Sequence, residues 1–119
     1  MATVPVVAKS ASSAVPLNSM PIATSGDTLQ YTRNKGQELW LFNTSSSAVT
    51  VTIDGNAGVA VLVPGTAGTT VDVTAGLPIS IPAEAFVYLP LDRAEAFLQG
   101  VVFISASTGS VVRAVVTTL

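Results

Sequence analysis

From Thr28 onward, apolar and polar residues alternate with period two, and Gly, Pro, Asn or Asp interrupts the pattern every eight to twelve residues or so. Successive side chains of a strand point to opposite faces, so each run is a ribbon with one apolar side. Such ribbons gain stability only when they pair and close their apolar sides on one another. The pattern predicts an all-β chain, an antiparallel β-sandwich or a jelly-roll-like barrel. Strands are expected near 28–32, 37–43, 48–54, 58–63, 70–74, 77–81, 84–89, 100–105 and 110–117.

Individual runs carry more detail. In the third, Val49, Val51 and Ile53 share one face and Thr50, Thr52 and Asp54 the other. The sequence Asp54-Gly55-Asn56-Ala57-Gly58 reads as a turn, which predicts a hairpin between this strand and Val59–Val63. Gln37–Asn43 is apolar on both sides, Leu39 and Leu41 opposing Trp40 and Phe42, so it is expected at the centre with both sides covered. Leu77–Pro82 alternates cleanly but holds Pro78, which cannot donate to a ladder and confines the strand to an edge. Asp92–Phe97 contains the best helix formers of the chain and is expected to make one short helical turn that packs Phe97 inward.

At 119 residues the chain fits one domain, which divides at the start of the alternation into an extended N-terminal arm, 1–26, and a sandwich, 27–119. Pro5, Pro16 and Pro21 exclude a helix from the arm, while Val4, Val6 and Val7 give its start strand character. A frayed tail is one reading of it. The other is a strand that adds to a neighbouring subunit's sheet, with Val4, Pro5, Val6, Val7, Pro16 and Leu17 as the partner-binding residues.

Which chemistry the chain could perform is bounded by what it lacks. It has no Cys and no His, so thiolate nucleophiles, the usual general base and the usual transition-metal ligands are absent. Catalysis would have to come from a pair among Asp27, Glu38, Asp54, Asp72, Glu84, Asp92 and Glu95, and their spacing selects no pair. Asp54-Gly55-Asn56 offers oxygen donors but not the acidic ligand series of a calcium loop, and Gly65–Gly68 lacks the Lys and helix of a phosphate loop. Arg93 beside Asp92 and Glu95 reads as a local surface ion pair. The expectation is a non-enzymatic chain with no catalytic residue, no metal and no cofactor.

Charge narrows the partner class. Only 10% of residues are charged, against roughly a quarter in ordinary soluble domains. On the roughly 6,000 Å² surface of a folded monomer this leaves about one charge per 500 Å². Charge depletion marks surface that is buried against other proteins. Five scattered basic residues and a net charge of −2 give no footprint for a phosphate backbone, so no nucleic acid is expected. No run approaches eighteen apolar residues, and no membrane span or signal peptide is expected. Seven aromatic side chains, Tyr31, Trp40, Phe42, Phe86, Tyr88, Phe97 and Phe103, allow a sugar-stacking platform, which requires at least two exposed, coplanar rings. The strand pattern around Trp40, Phe42, Phe86 and Phe103 favours core packing for those four.

The order of segments Gly36–Thr44, Ala48–Ile53, Ile81–Ala83 leading to Leu89–Asp92, and Ser107–Val116 resembles small β-sandwich structural proteins of tailed bacteriophages, of the capsid decoration (cement) type. The resemblance spans Thr28–Leu119 and leaves the first 26 residues unmatched. It implies a virion protein on the capsid surface, made in the host cytoplasm. The implied partner is the major capsid protein, and the implied homo-oligomer a trimer. A head-to-tail connector or tail component of the same particle is the alternative, and a carbohydrate-binding module for host-surface glycans is the second.

Overall fold

The computed structural model describes residues 2–9, 16–55, 60–62, 70–72 and 76–119. Its strands are β1 (Val6–Ala8), β2 (Met20–Pro21), β3 (Asp27–Leu29), β4 (Glu38–Asn43), β5 (Val49–Gly55), β6 (Ala60–Leu62), β7 (Thr70–Asp72), β8 (Leu77–Ile81), β9 (Phe86–Pro90), β10 (Val102–Ala106) and β11 (Val112–Thr118). One sheet runs β1-β11-β4-β9, with β2 also on β11; a second runs β3-β10-β5-β8; β6 and β7 pair separately. The two large sheets pack face to face as a sandwich, so the expected fold class holds.

The core between the sheets is aliphatic. Leu39 and Leu41 of β4, Val112, Ala114 and Val116 of β11, Val51 and Ile53 of β5, and Ile104 of β10 have essentially no exposure. They sit on alternate positions of their strands, as period-two alternation requires. None of the seven aromatic side chains belongs to the fully buried set. The parity of each strand decides this: once Leu39 and Leu41 face inward, Trp40 and Phe42 must face outward.

Consecutive strands mostly lie in opposite sheets. The chain passes from β3 to β4, β4 to β5, β8 to β9, β9 to β10 and β10 to β11 by changing sheet each time. The predicted hairpin after Asp54 is therefore not formed: β5 is flanked by β10 and β8, which occupy both of its edges, and β6 pairs with β7 instead. Asp54 and Gly55 lie within β5, opposite Phe103 and Val102, and the expected turn at 56–58 falls outside the described residues, as does the loop Gly65–Gly68. Gly55 is required by a close approach, since a Cβ there would run into the backbone of Gln99 and Leu98.

Other expectations hold in part. β4 is central and β8 is an edge strand. The segment Leu91–Phe97 forms 3-10 turns kinked at Ala94, burying Leu91, Ala94 and Leu98 with Phe97 only half-buried.

The crossovers at one end of the sandwich are fastened by Asn43, which is fully buried. Its Nδ2 donates to the carbonyls of Ser47 (2.9 Å), Ile81 (3.1 Å) and Pro82 (3.2 Å). Its Oδ1 accepts from the Ser45 amide (2.9 Å) and hydroxyl (2.8 Å). Thr44 then donates its amide and hydroxyl to the carbonyl of Val111, so the connections after β4, β8 and β10 are joined.

The N-terminal residues are built into the same sandwich. Ala2 and Val4 bond to Thr28 of β3, β1 runs parallel to β11 with Val6 opposite Val116, and β2 pairs antiparallel with β11. Val4 and Ile22 are core residues with 1% and 0% exposure.

Two substitutions test this architecture in urea titrations. Asn43→Ala removes five hydrogen bonds made by a fully buried side chain and leaves the buried Ile81 carbonyl without that partner, and is expected to cost about 2–3 kcal/mol. Gly55→Ala forces β5 away from Gln99 and is expected to cost about 1–3 kcal/mol, although it removes no contact.

Candidate functional site

The outer face of the first sheet gathers the aromatic residues that the core does not use. Register sets them in rows across β9, β4 and β11. Phe86 lies opposite Phe42, which lies opposite Arg113; Tyr88 lies opposite Trp40, which lies opposite Val115. The Trp40 and Tyr88 rings stack with centroids 5.0 Å apart and planes 30° apart. Phe42 and Phe86 approach to 4.2 Å at 31°. Cross-strand aromatic pairs of this kind add roughly 0.5–1.5 kcal/mol beyond their buried area. Trp40 is further oriented by its indole N–H, which donates to Thr117 Oγ1 at 3.0 Å.

Two of these rings remain in solvent, Phe86 at 70% exposure and Tyr88 at 58%. Core packing was expected for Phe86 and is not what the fold provides. Trp40, Phe42 and Phe103 are likewise half-buried on outer faces. β9 itself carries no charged residue, and among the described residues nothing pairs with its outer edge. By contrast β8 is guarded by Pro78, and the β3 edge is covered by Ala2–Val4.

Beside the aromatic rows lies a groove of about 260 Å³. It is lined by Leu17, Trp40, Phe42, Phe86 and Val115, with Arg113 of β11 and Ser19 as its polar side chains. Arg113 donates from Nε to Ser19 Oγ (2.8 Å) and from Nη2 to the Ser19 carbonyl (2.6 Å). A broader, open groove of about 540 Å³ runs along the β3–β10 side, lined by Thr3, Thr28, Gln30, Thr32 and Val101.

The residues expected to bind a partner from the arm are placed apart. Val4 is spent in the core, Val7 is half-buried beside Thr117, and Val6 is partly exposed. Pro5 accepts from the Val116 amide. Of the six, Leu17 reaches the aromatic groove, at 50% exposure, and Pro16 precedes it on the surface. Residues 10–15 of the expected arm lie outside the described residues.

The carboxylates are dispersed as structural ties. Asp27 accepts from the Ala2 and Ala23 amides (3.0 and 2.9 Å), and Glu38 pairs with Lys9 at 2.7 Å. Asp54 Oδ1 is buried without a hydrogen-bond partner, and no cluster of three metal-ligating side chains exists among the described residues. Asp92 accepts from the Tyr31 hydroxyl (2.7 Å) and the Asn34 amide (3.1 Å). The Tyr31 bond first, then the amides of Asn34 and Gly36 and the charge of Arg33, hold its carboxyl below the ordinary aspartate range against a smaller desolvation cost. Arg93 is exposed.

Because these bonds favour the ionised form, they stabilise the fold above the unfolded-state pKa, about 4, and are lost as pH falls through the lower folded value. Urea midpoints measured from pH 7 down to pH 2 should therefore drop below about pH 4. Asp92→Asn should be less stable at neutral pH and show a shallower acid limb.

Comparison with protein-family models, with curated proteins and with solved structures returns no match to this chain.

Proposed function

We propose that the chain is a non-catalytic structural module that docks onto other proteins through the aromatic face of its first sheet, as a decoration protein on the capsid surface of a tailed phage. The observation that carries this reading is the pair of exposed rings, Phe86 and Tyr88, on a sheet face with few charges. Large apolar groups left in water on a rigid scaffold mark protein–protein contact. Aromatic residues and Arg are the side chains that most often anchor such contacts.

The physics of the role asks for little else. A cement protein adds buried area across the joints of a shell and stabilises the assembled state by binding it and not its dissociated parts. Crossovers tied at Asn43 supply rigidity, so little conformational entropy is lost on docking. The major capsid protein is the partner in this reading, and multiple copies of the chain, grouped as trimers, cover the shell.

The glycan alternative is less well served by the same face. The ring pairs stack on one another at 30° and 31° instead of lying coplanar, and the groove beside them offers only Ser19 and Arg113 as polar side chains. Sugar hydroxyls need several convergent polar groups to replace lost water.

Purified protein added to shells assembled without it should bind saturably, on the order of hundreds of copies per particle, and raise the temperature at which they disrupt. About six or twelve copies per particle would move the chain to a connector or tail. Absence of binding at every salt concentration would remove the decoration reading.

A further inference from the structure

The groove beside Phe86 has a charge on it that the fold leaves unanswered. Arg113 lies on an otherwise apolar face, and its guanidinium is held in place by two hydrogen bonds to Ser19, through Nε and Nη2. A guanidinium has five N–H donors in a rigid fork, so the end formed by Nη1 and the second N–H of Nη2 remains for another acceptor. No carboxylate reaches it among the described residues; the other charges on this face, Lys9 and Glu38, neutralise each other at 2.7 Å. The face is thus locally positive on a chain whose net charge is −2.

The size of the groove restricts what enters. At about 260 Å³ it falls below the usual range for small-molecule sites, roughly 300–1,000 Å³, and matches one or two side chains. Leu17, Phe86 and Val115 give it an apolar lining, which suits a leucine or an aromatic ring. A second copy of this chain laid face to face would bring no free carboxylate to Arg113, because Glu38 is already paired with Lys9. Charge complementarity thus favours a different protein over a face-to-face second copy as the occupant.

We infer that the groove takes one large apolar side chain from a partner protein, with an Asp or Glu one or two residues away whose carboxylate accepts end-on from Arg113. Pre-orientation by Ser19 matters here: a guanidinium already fixed in the fork geometry loses less freedom when it binds, and charge-assisted bidentate pairs are the stronger class. This rests on the reading of the first sheet as a protein-docking face and adds the chemistry of its partner.

The test uses the full chain and a random twelve-residue peptide display library as probe. Selection on the wild type should enrich peptides in which an acid sits within two residues of Leu, Phe, Tyr or Trp. A synthetic consensus peptide should shift the amide resonances of Phe42, Phe86 and Val115, and bind about tenfold or more weakly to Arg113→Met, while Arg113→Lys keeps part of the affinity. Phe86→Ser, at a position that is mostly in solvent, should fold normally by circular dichroism and lose binding as well. Enrichment without acids, unchanged affinity in Arg113→Met, absence of enrichment, or binding only to a glycan array would each overturn the inference.

Shell binding separates this from the broader reading. If Phe86→Ser loses shells and Arg113→Met keeps them, the face docks but the carboxylate requirement is wrong. If neither variant changes shell binding, the docking face lies elsewhere and both fall. If the wild type itself ignores shells yet selects acidic, apolar peptides, the inferred chemistry stands and the capsid assignment fails.

Discussion

The sandwich depends on one buried amide. Asn43 ends β4 at the point where the chain leaves one sheet for the other, and its side chain reaches the carbonyls of Ile81 and Pro82, where β8 ends and the chain crosses back. Its oxygen meanwhile shapes the Ser45 turn that leads to β5. Two sheets held only by apolar contact can slide, because dispersion and the hydrophobic effect have little directionality. Hydrogen bonds from a fully buried group do have direction, and leaving them unmade inside the protein is costly. The crossovers are thereby fixed in register, and the register in turn decides which residues face in.

That decision explains the surface. In β4 the residues sharing Asn43's parity are Leu39 and Leu41, and they form the core. Trp40 and Phe42 then have to face out, where β9 supplies Tyr88 and Phe86 directly opposite. Stacking removes part of each inner ring from water, which leaves the β9 rings as the exposed margin. An aliphatic core and an aromatic outer face are one consequence of a single choice of parity.

Much of the scaffold was legible in the sequence because alternation and turn residues are local signals. The nine expected strands correspond to β3 through β11, and Pro78 marked its edge from chemistry alone. The pairing was not legible, since alternation says which residues share a face but not which strands are neighbours. Asp54-Gly55-Asn56 carries the signature of a hairpin turn, yet β5 continues through Gly55 because β10 and β8 take both its edges. The aromatic face was missed for a related reason: an apolar run on both sides of Gln37–Asn43 says that water is disfavoured on both, and does not say that the fold itself covers both. The uncovered side is where a partner would be expected.

The N-terminal segment shows where the scarce charges went. Asp27 holds the amides of Ala2 and Ala23, Lys9 meets Glu38 on β4, and Arg113 grips Ser19. Three of the few charged contacts thus fasten Ala2, Lys9, Ser19 and Ala23 to the sandwich, and Val4 and Ile22 complete the core. β1 is bonded to β11 along one edge, and moving it into a neighbour's sheet would give up those contacts. Strand donation from these residues would cost the chain its own packing, whereas the aromatic face of β4 and β9 is open without any rearrangement. Binding energy is most readily drawn from surface that is exposed and rigid before the encounter, and on this molecule that surface runs from Leu17 across Arg113 and Phe42 to Phe86.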